Sequence, residues 1–580
     1  MSSPGTIADR RTRFLNTLYA RLAVRQSAVK GFVSQPEPRT IGSFARGRQL
    51  IAGNLLFAGH LIEAQKPDLW AIRAPNPAFD DERHGFEWLD DLAAVGTTEA
   101  RDRAQTWLWG WIANFDNGRG PGWRPDLAGR RLIRWINHAI FLLRGQDSDT
   151  SRAFFRSLAR QTWFLSKRWH SSPPGLRRFE TLTGLIYAGL ALEGTEALAD
   201  PAVRALAREC DVCIDQDGGL PTRNPEDLLD VFTLLTWAAA ALHDAGRGIT
   251  QPHTSAIERI APTLRSLRHA DGGLARFHGG GRGLEGRLDH ALAASHVKPD
   301  HPSGLAMGYA RLAARRSTVI VDASAPPSGR AAGNAHASTL AFELTSGRRP
   351  VVVNCGSGAT FGMAWRRAGR ATPSHSTLCL GGYSSARLAD ADPVTGQALL
   401  VNGPGEVPVE TSETPDGMRF QGAHNGYAPH FGLTHVRSLD LSFDGRTFQG
   451  EDMLLAMDTS AKRRFDQALD HSKLSGIAFD IRLHLHPDVD ATVDLGGAAV
   501  SLVLKSGEIW VFRHDGASQL ALDQGVYLES DRLKPRTAQQ IVLSGRALDF
   551  ATRVRWSLSK AQDTAVAIRD TARNQPEFEP

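Results

Sequence analysis

The chain has 580 residues, too many for one hydrophobic core, so two large domains are expected. Hydrophobic content of 42% and charged content of 22% are those of a folded protein and exclude a disordered or membrane-embedded class. Lys and Arg number 67 against 62 Asp and Glu, a net +5 with no long basic block, so an anionic polymer is a permitted partner and a nucleic-acid tract is not indicated.

In chain order, the Arg-rich stretch from Met1 to about Gln35 has no apolar core of signal-peptide length. Thr12 to Val24 reads as a short amphipathic helix, with a membrane-surface role as one option. No run reaches the roughly 18 apolar residues of a membrane span. A soluble protein of the cytoplasm is the expectation from sequence.

From about Gly42 to Arg316 the apolar period is helical. Leu127, Leu132, Trp135, Ile136, Ala139, Ile140 and Leu143 form one face. Phe179, Leu182, Leu185, Ile186 and Leu190 form a second, and Leu228, Val231, Phe232, Leu235 and Leu242 a third. Gly-rich breaks such as Asp217-Gly218-Gly219 and His278-Gly279-Gly280-Gly281 separate them, so paired helices stacked side by side are expected. Cys210 and Cys213 lie in this helical context with no second cysteine pair, and are read as buried thiols. Most tryptophans here suit helix packing. Trp123, in the turn Gly120-Pro121-Gly122-Trp123-Arg124-Pro125, is the one a loop can present to a sugar ring. Arg177-Arg178-Phe179-Glu180 and Arg223-Asn224-Pro225-Glu226-Asp227 put arginine beside carboxylates at helix starts, which suits either an anion site or a solvated cap.

Near Ser317 the pattern changes to short β-rich runs: Thr318–Val321, Val351–Val353, Thr377–Leu380, Leu439–Ser442, Ile481–Leu485, Ile509–Phe512, Val526–Leu528, Gln540–Leu543 and Val554–Leu558. They predict antiparallel sheets packed as a sandwich. His484 and His486 fall on one face of their strand, read as the charged or solvated one. Asp570 to Pro580 is a polar tail.

Several segments of the strand half carry a family resemblance. Gly333-Asn334-Ala335-His336-Ala337-Ser338-Thr339-Leu340-Ala341-Phe342 resembles the G-H-x-H-A-D-x-x-S-F segment of the heparinase II/III-like polysaccharide lyases. Val351-Val352-Val353-Asn354-Cys355-Gly356 resembles a strand ending in D-x-G, and Thr372-Pro373-Ser374-His375-Ser376-Thr377 resembles A-H-N-T. Gly426-Tyr427, Phe431 to Arg437, Gly450-Glu451-Asp452 and Leu483 to Asp488 continue in the same order, so the likeness spans about residues 40–560. The resemblance implies an incomplete N-terminal (α/α) toroid over 41–316, after an extension of 1–40. It implies a β-sandwich over 317–565, then a tail of 566–580.

It also implies a reaction, β-elimination of an acidic, uronic-acid-containing glycan in the cleft between toroid and sandwich. A base removes the proton beside the carboxylate, a cation or amide neutralises that carboxylate, and an acid protonates the leaving oxygen. The first motif histidine is Asn334 here. Candidate neutralisers are Arg178, Arg223, Asn224 and Asn334, and candidate bases are His336 and His375. Tyr187 and Tyr427 are the nearest candidate acids by motif. Trp123, Arg276 and Tyr427 are the candidate substrate contacts. The elimination requires no cofactor, while the resemblance implies a structural zinc at His336, Asn354 and His375. The partner is an anionic polysaccharide or oligosaccharide, and family relatives point to the cell envelope or periplasm. Two other functions fit the same scaffold. One is a glycoside hydrolase using Glu180 with Glu226 or Asp227. The other is a non-catalytic glycan-binding protein.

Overall fold

The computed structural model describes residues 7–34, 37–64, 68–298, 304–391, 398–529, 532 and 534–563. The polar tail lies outside them. No helix among the described residues is long and apolar enough to cross a membrane.

The helical half runs from Ile7–Ala23 to Arg287–Ala294. Its helices start where the sequence supplies caps: Asp147 accepts from the Thr150 amide at 2.7 Å ahead of Ser148–Arg168, and Asn224 accepts from the Glu226 amide at 2.9 Å ahead of Pro225–Asp244. Helices Pro125–Asn137 and Leu176–Ala191 approach closely because Gly129 and Gly184 face each other, leaving no room for a Cβ. The face expected to continue to Leu143 breaks instead at His138 (φ −101°, ψ 19°), and Ile140 beyond the break is exposed. Ile7–Ala23 packs on Ser148–Arg168 through buried Ala20 and Ala23, and Arg168 Nε donates to Asn16 Oδ1 at 2.7 Å.

The strand half is two eight-stranded antiparallel layers. One runs Val409–Thr414, Gly417–His424, Thr434–Ser442, Thr447–Leu455, Ala551–Gln562, Ile509–His514, Ala499–Leu504, Val489–Asp494. The other runs Gln519–Tyr527, Arg536–Ala547, Ile477–Leu485, Arg349–Val353, Phe342–Ser346, Ser317–Asp322, Tyr309–Ala314, with Leu378–Leu380 beside Ile477–Leu485. Strand Tyr309–Ala314 lies ahead of the expected switch. Its Ala- and Arg-rich sequence favours a helix locally, and its full pairing with Ser317–Asp322 overrides that preference.

The second layer is buried on both faces where Ser317–Asp322 and Phe342–Ser346 cross it. Val319, Val321, Phe342 and Leu344 point into the sandwich core, where Phe342 stacks on Trp556 at 5.7 Å. Alternate residues Ile320 and Ala341 join the core of the helical half. Because side chains alternate along a strand, Asp322 and Glu343 fall on that same face, so two carboxylates are placed against the helices. His484 and His486 are buried rather than solvated, the first against the Pro373 carbonyl at 2.9 Å and the second against the Tyr527 ring at 4.9 Å.

Candidate functional site

The seam between the halves is built from those two carboxylates. Glu343 accepts from His269 Nε2 and from the main-chain N–H of Arg276, each at 3.1 Å. Asp322 accepts from Arg223 Nη2 and Ser338 Oγ, each at 2.6 Å. Arg223 is fully committed. It also donates to the carbonyls of Gly308, Met307, Ser324 and Ala325, lies 4.8 Å over the Tyr309 ring, and receives the Tyr309 hydroxyl on its own carbonyl. It clamps the halves together and has no donor left for a substrate. Arg276 is likewise buried. It donates to the Asn354 carbonyl at 2.6 Å and covers Tyr527, so it is a seam residue rather than a sugar contact.

In the helical half, Asn224 spends its side-chain oxygen on its helix cap. Arg178 straps its helix start to the preceding turn through the Ser172 carbonyl (2.6 Å) and Glu209 (3.3 Å). Glu180 accepts from Arg130 Nε at 2.6 Å, while its second oxygen is enclosed without a partner. Burial outweighs Arg130 and pushes this carboxyl up to about 7. Asp227 is pushed up to about 7 as well, by burial and then by Asp230. Burial raises the Glu87 carboxyl, but Arg130 and Arg134, and then Arg287, outweigh it and hold it down to about 2. The ion pairs Arg130–Glu180, Arg130–Glu87, Arg134–Glu87 and Arg287–Asp230 join the charged side chains of this region.

Trp123 is buried but reaches the floor of an open groove that Asn16, Asn76 and Arg124 also line. Its indole donates to the Phe115 carbonyl at 2.7 Å and its ring meets Phe164 edge-on at 5.3 Å, so the Gly-Pro-Gly turn folds it inward among Trp111 and Phe164. Tyr427 is also core. It is fully buried, with its hydroxyl on the Leu378 carbonyl at 2.7 Å. Tyr187 is buried with an unpartnered hydroxyl.

At the sandwich rim three histidines meet. The His336 amide donates to Nδ1 of His278 at 3.1 Å, so the proton of His278 is on Nε2, which faces Asp322 at 3.4 Å. His375 Nδ1 lies 2.9 Å from the Ala371 carbonyl, which can only accept, so its Nε2 is the acceptor for His336 Nδ1 at 3.0 Å. Burial holds all three neutral, His375 down to about 4. The order of bonds leaves Nε2 of His336 as a bare lone pair. That atom has no protein partner among the described residues and is not among the enclosed unpartnered atoms. Asn334, two residues earlier, is exposed. It accepts from Arg366 Nη2 at 2.7 Å and touches the His278–Gly281 loop at Gly279, whose φ of +93° and lack of Cβ permit the approach. His278 and Arg366 were not singled out in the sequence. The first stands in a run read only as a turn, and the second in a run of arginines without periodic context.

The expected zinc set does not fit a tetrahedral site. Asn354 Oδ1 accepts from the Ser376 amide at 3.0 Å and its Nδ2 faces Glu343, so the amide replaces a charged ligand and both its polar atoms are used. Two imidazoles remain, already bonded to each other. Among the described residues no group of three His, Cys, Asp or Glu side chains is placed to hold a metal ion.

A helical toroid seated on a two-layer β-sandwich, with histidines at the rim between them, is a polysaccharide lyase-like scaffold. The structure matches that of heparinase III with a TM-score of 0.66 at 12% identity, over 94% of this chain and 89% of that one. It matches a mutant of the heparan sulfate lyase HepC from Pedobacter heparinus with 0.56 at 14%, over 96% and 89%. A family model described as heparinase II/III-like, C-terminal, matches residues 296–557. FtsZ-localized protein C of Caulobacter vibrioides (strain NA1000 / CB15N) is 30% identical over 558 residues, 93% of this chain and 92% of that protein. The chain belongs to the heparinase II/III-like family.

Proposed function

We propose that the protein is a lyase-like enzyme that cleaves a uronate-containing glycan by β-elimination at the Asn334–His336 rim. One observation carries the reading: the hydrogen-bond order from Ala371 through His375 leaves Nε2 of His336 bare, two residues from an exposed amide. Nε2 takes the proton from the carbon beside the sugar carboxylate. The electrons of that C–H bond form the double bond, the glycosidic C–O bond breaks, and the leaving oxygen recovers the proton from Nε2. The Asn334 amide donates to the carboxylate as charge develops on it. The test is incubation with uronate glycans while following the ultraviolet absorbance of the unsaturated product. Absence of that product across a panel of acidic glycans rejects the reading.

One relative is named for localisation with FtsZ, and we carry that setting over as the place of action. A fluorescent fusion that stays diffuse while FtsZ is assembled counts against it. A non-catalytic glycan-binding role is the second reading. The commitment of Arg223, Asn224 and Tyr427 to structural bonds favours it, because it leaves the elimination without those three residues. Retention on an acidic polysaccharide column without turnover is its signature.

A further inference from the structure

Helix Met363–Gly369 stands at the same rim and carries Trp365, Arg366 and Arg367, with Arg370 following. None of these arginines has an ion pair among the described residues, in a chain where most buried or half-buried arginines do have one. Arg366 is held only by neutral oxygens, Asn334 Oδ1 at 2.7 Å and the Gly333 carbonyl at 3.4 Å. Arg370 is buried and also meets only neutral acceptors, the carbonyls of Ala335, Ala398 and Ala332 at 2.7–2.9 Å. Gathering three guanidiniums at one rim with no counter-charge among the described residues costs free energy, which an incoming anion recovers. Burial, and then Arg366 and Arg367, disfavour the charge on Arg370. The amide of Asn334 aims Arg366, because it fixes one nitrogen of the planar fork and leaves the rest of the guanidinium to pair with a second oxygen acid. Trp365 is the one tryptophan among the described residues counted as exposed, at 36%. The sugar-stacking role expected of Trp123 therefore has a better occupant here.

We propose that Arg366, backed by Arg367 and Arg370, is the receiving site for the acidic group of the glycan, and that Trp365 offers its ring to the adjoining sugar. The anion site stands on the arginine geometry alone, while its assignment to a glycan rests on the function proposed above.

Two measurements separate these parts. Modification of Arg366 by phenylglyoxal, followed by mass spectrometry on the full chain, should slow several-fold when inorganic sulfate is added. Equal rates with and without sulfate overturn the anion site. Calorimetric titration with an oligogalacturonide should show an affinity loss on the order of tenfold for Arg366→Gln and for Trp365→Ala. Both side chains lie outside the core, so the melting temperature should stay near that of the wild type. Undiminished binding by both variants overturns the glycan assignment while leaving the elimination reading intact. Weakened binding by the variants without any unsaturated product from the wild type removes the elimination reading and leaves the site standing. Sulfate protection with no binding of oligogalacturonide, heparan sulfate or chondroitin sulfate oligosaccharides by the wild type overturns the assignment to a glycan.

Discussion

Arg223 and Asp322 meet at 2.6 Å across 99 residues of chain, the first in the turn ahead of a toroid helix and the second at the end of a sandwich strand. Asp322 is fully enclosed, and its remaining neighbours are the Ser338 hydroxyl and neutral His278. Arg223→Met removes the only full positive charge paired with it among the described residues and leaves a buried carboxylate. The expected cost is about 3–5 kcal/mol, read as a lowered denaturation midpoint. The double variant with Asp322→Leu should recover part of that loss.

The three rim histidines predict a division of labour. His336→Gln should lower turnover of the eliminated glycan by roughly 10²–10⁴-fold, the span of a general base, with little change in oligosaccharide affinity. His375→Gln acts through His336. An amide at that position can accept the same hydrogen bond, so the loss should be smaller than for His336→Gln. Steady-state kinetics beside a binding titration distinguish the two.

Stability should fall between weakly acidic and neutral pH because of two buried toroid carboxyls. The Glu180 and Asp227 carboxyls are raised from 4.5 and 3.8 to about 7 in the folded chain. A raised carboxyl binds more protons when folded, so its contribution is complete below the unfolded value and is lost as pH climbs through about 7. Calorimetric melting temperatures from pH 5 to pH 8 should decline for the wild type and decline less for Glu180→Gln and Asp227→Asn. Equal slopes for all three chains reject this assignment.

Trp123→Ala should behave as a core deletion. The indole fills space against Phe164 and Trp111 and satisfies the Phe115 carbonyl. A loss of about 3–5 kcal/mol in unfolding free energy is expected, with oligosaccharide binding by the folded protein unchanged.

The sequence was most readable where a single period repeats. Phe342 and Leu344 alternate with Ala341 and Glu343, and the strand follows that pattern. The alternation could not reveal that the second face of this strand is covered by helices, and His484, read as solvated, is buried too. The helix start at Asn224 was visible, because its capping is local. The roles of Arg223, Arg276 and Trp123 were not visible, because each is decided by partners tens of residues away. Gly120-Pro121-Gly122 announced a turn without saying which way the next side chain points. The motif order marked His336 and His375 as a pair of interest. Their mutual hydrogen bond, and the intrusion of His278 from the other half, required the fold.

The placement of Asp322 and Glu343 on the helix-facing side of their sheet has a consequence for anyone dividing this molecule. Their cationic partners Arg223 and Arg276 reside in the preceding half, as does His269. A fragment beginning after residue 304 would expose two orphaned acids together with the apolar surface of Ile320 and Ala341. The halves are thus expected to melt in one cooperative transition, and a separately expressed sandwich should be recovered as aggregate rather than as an independent module.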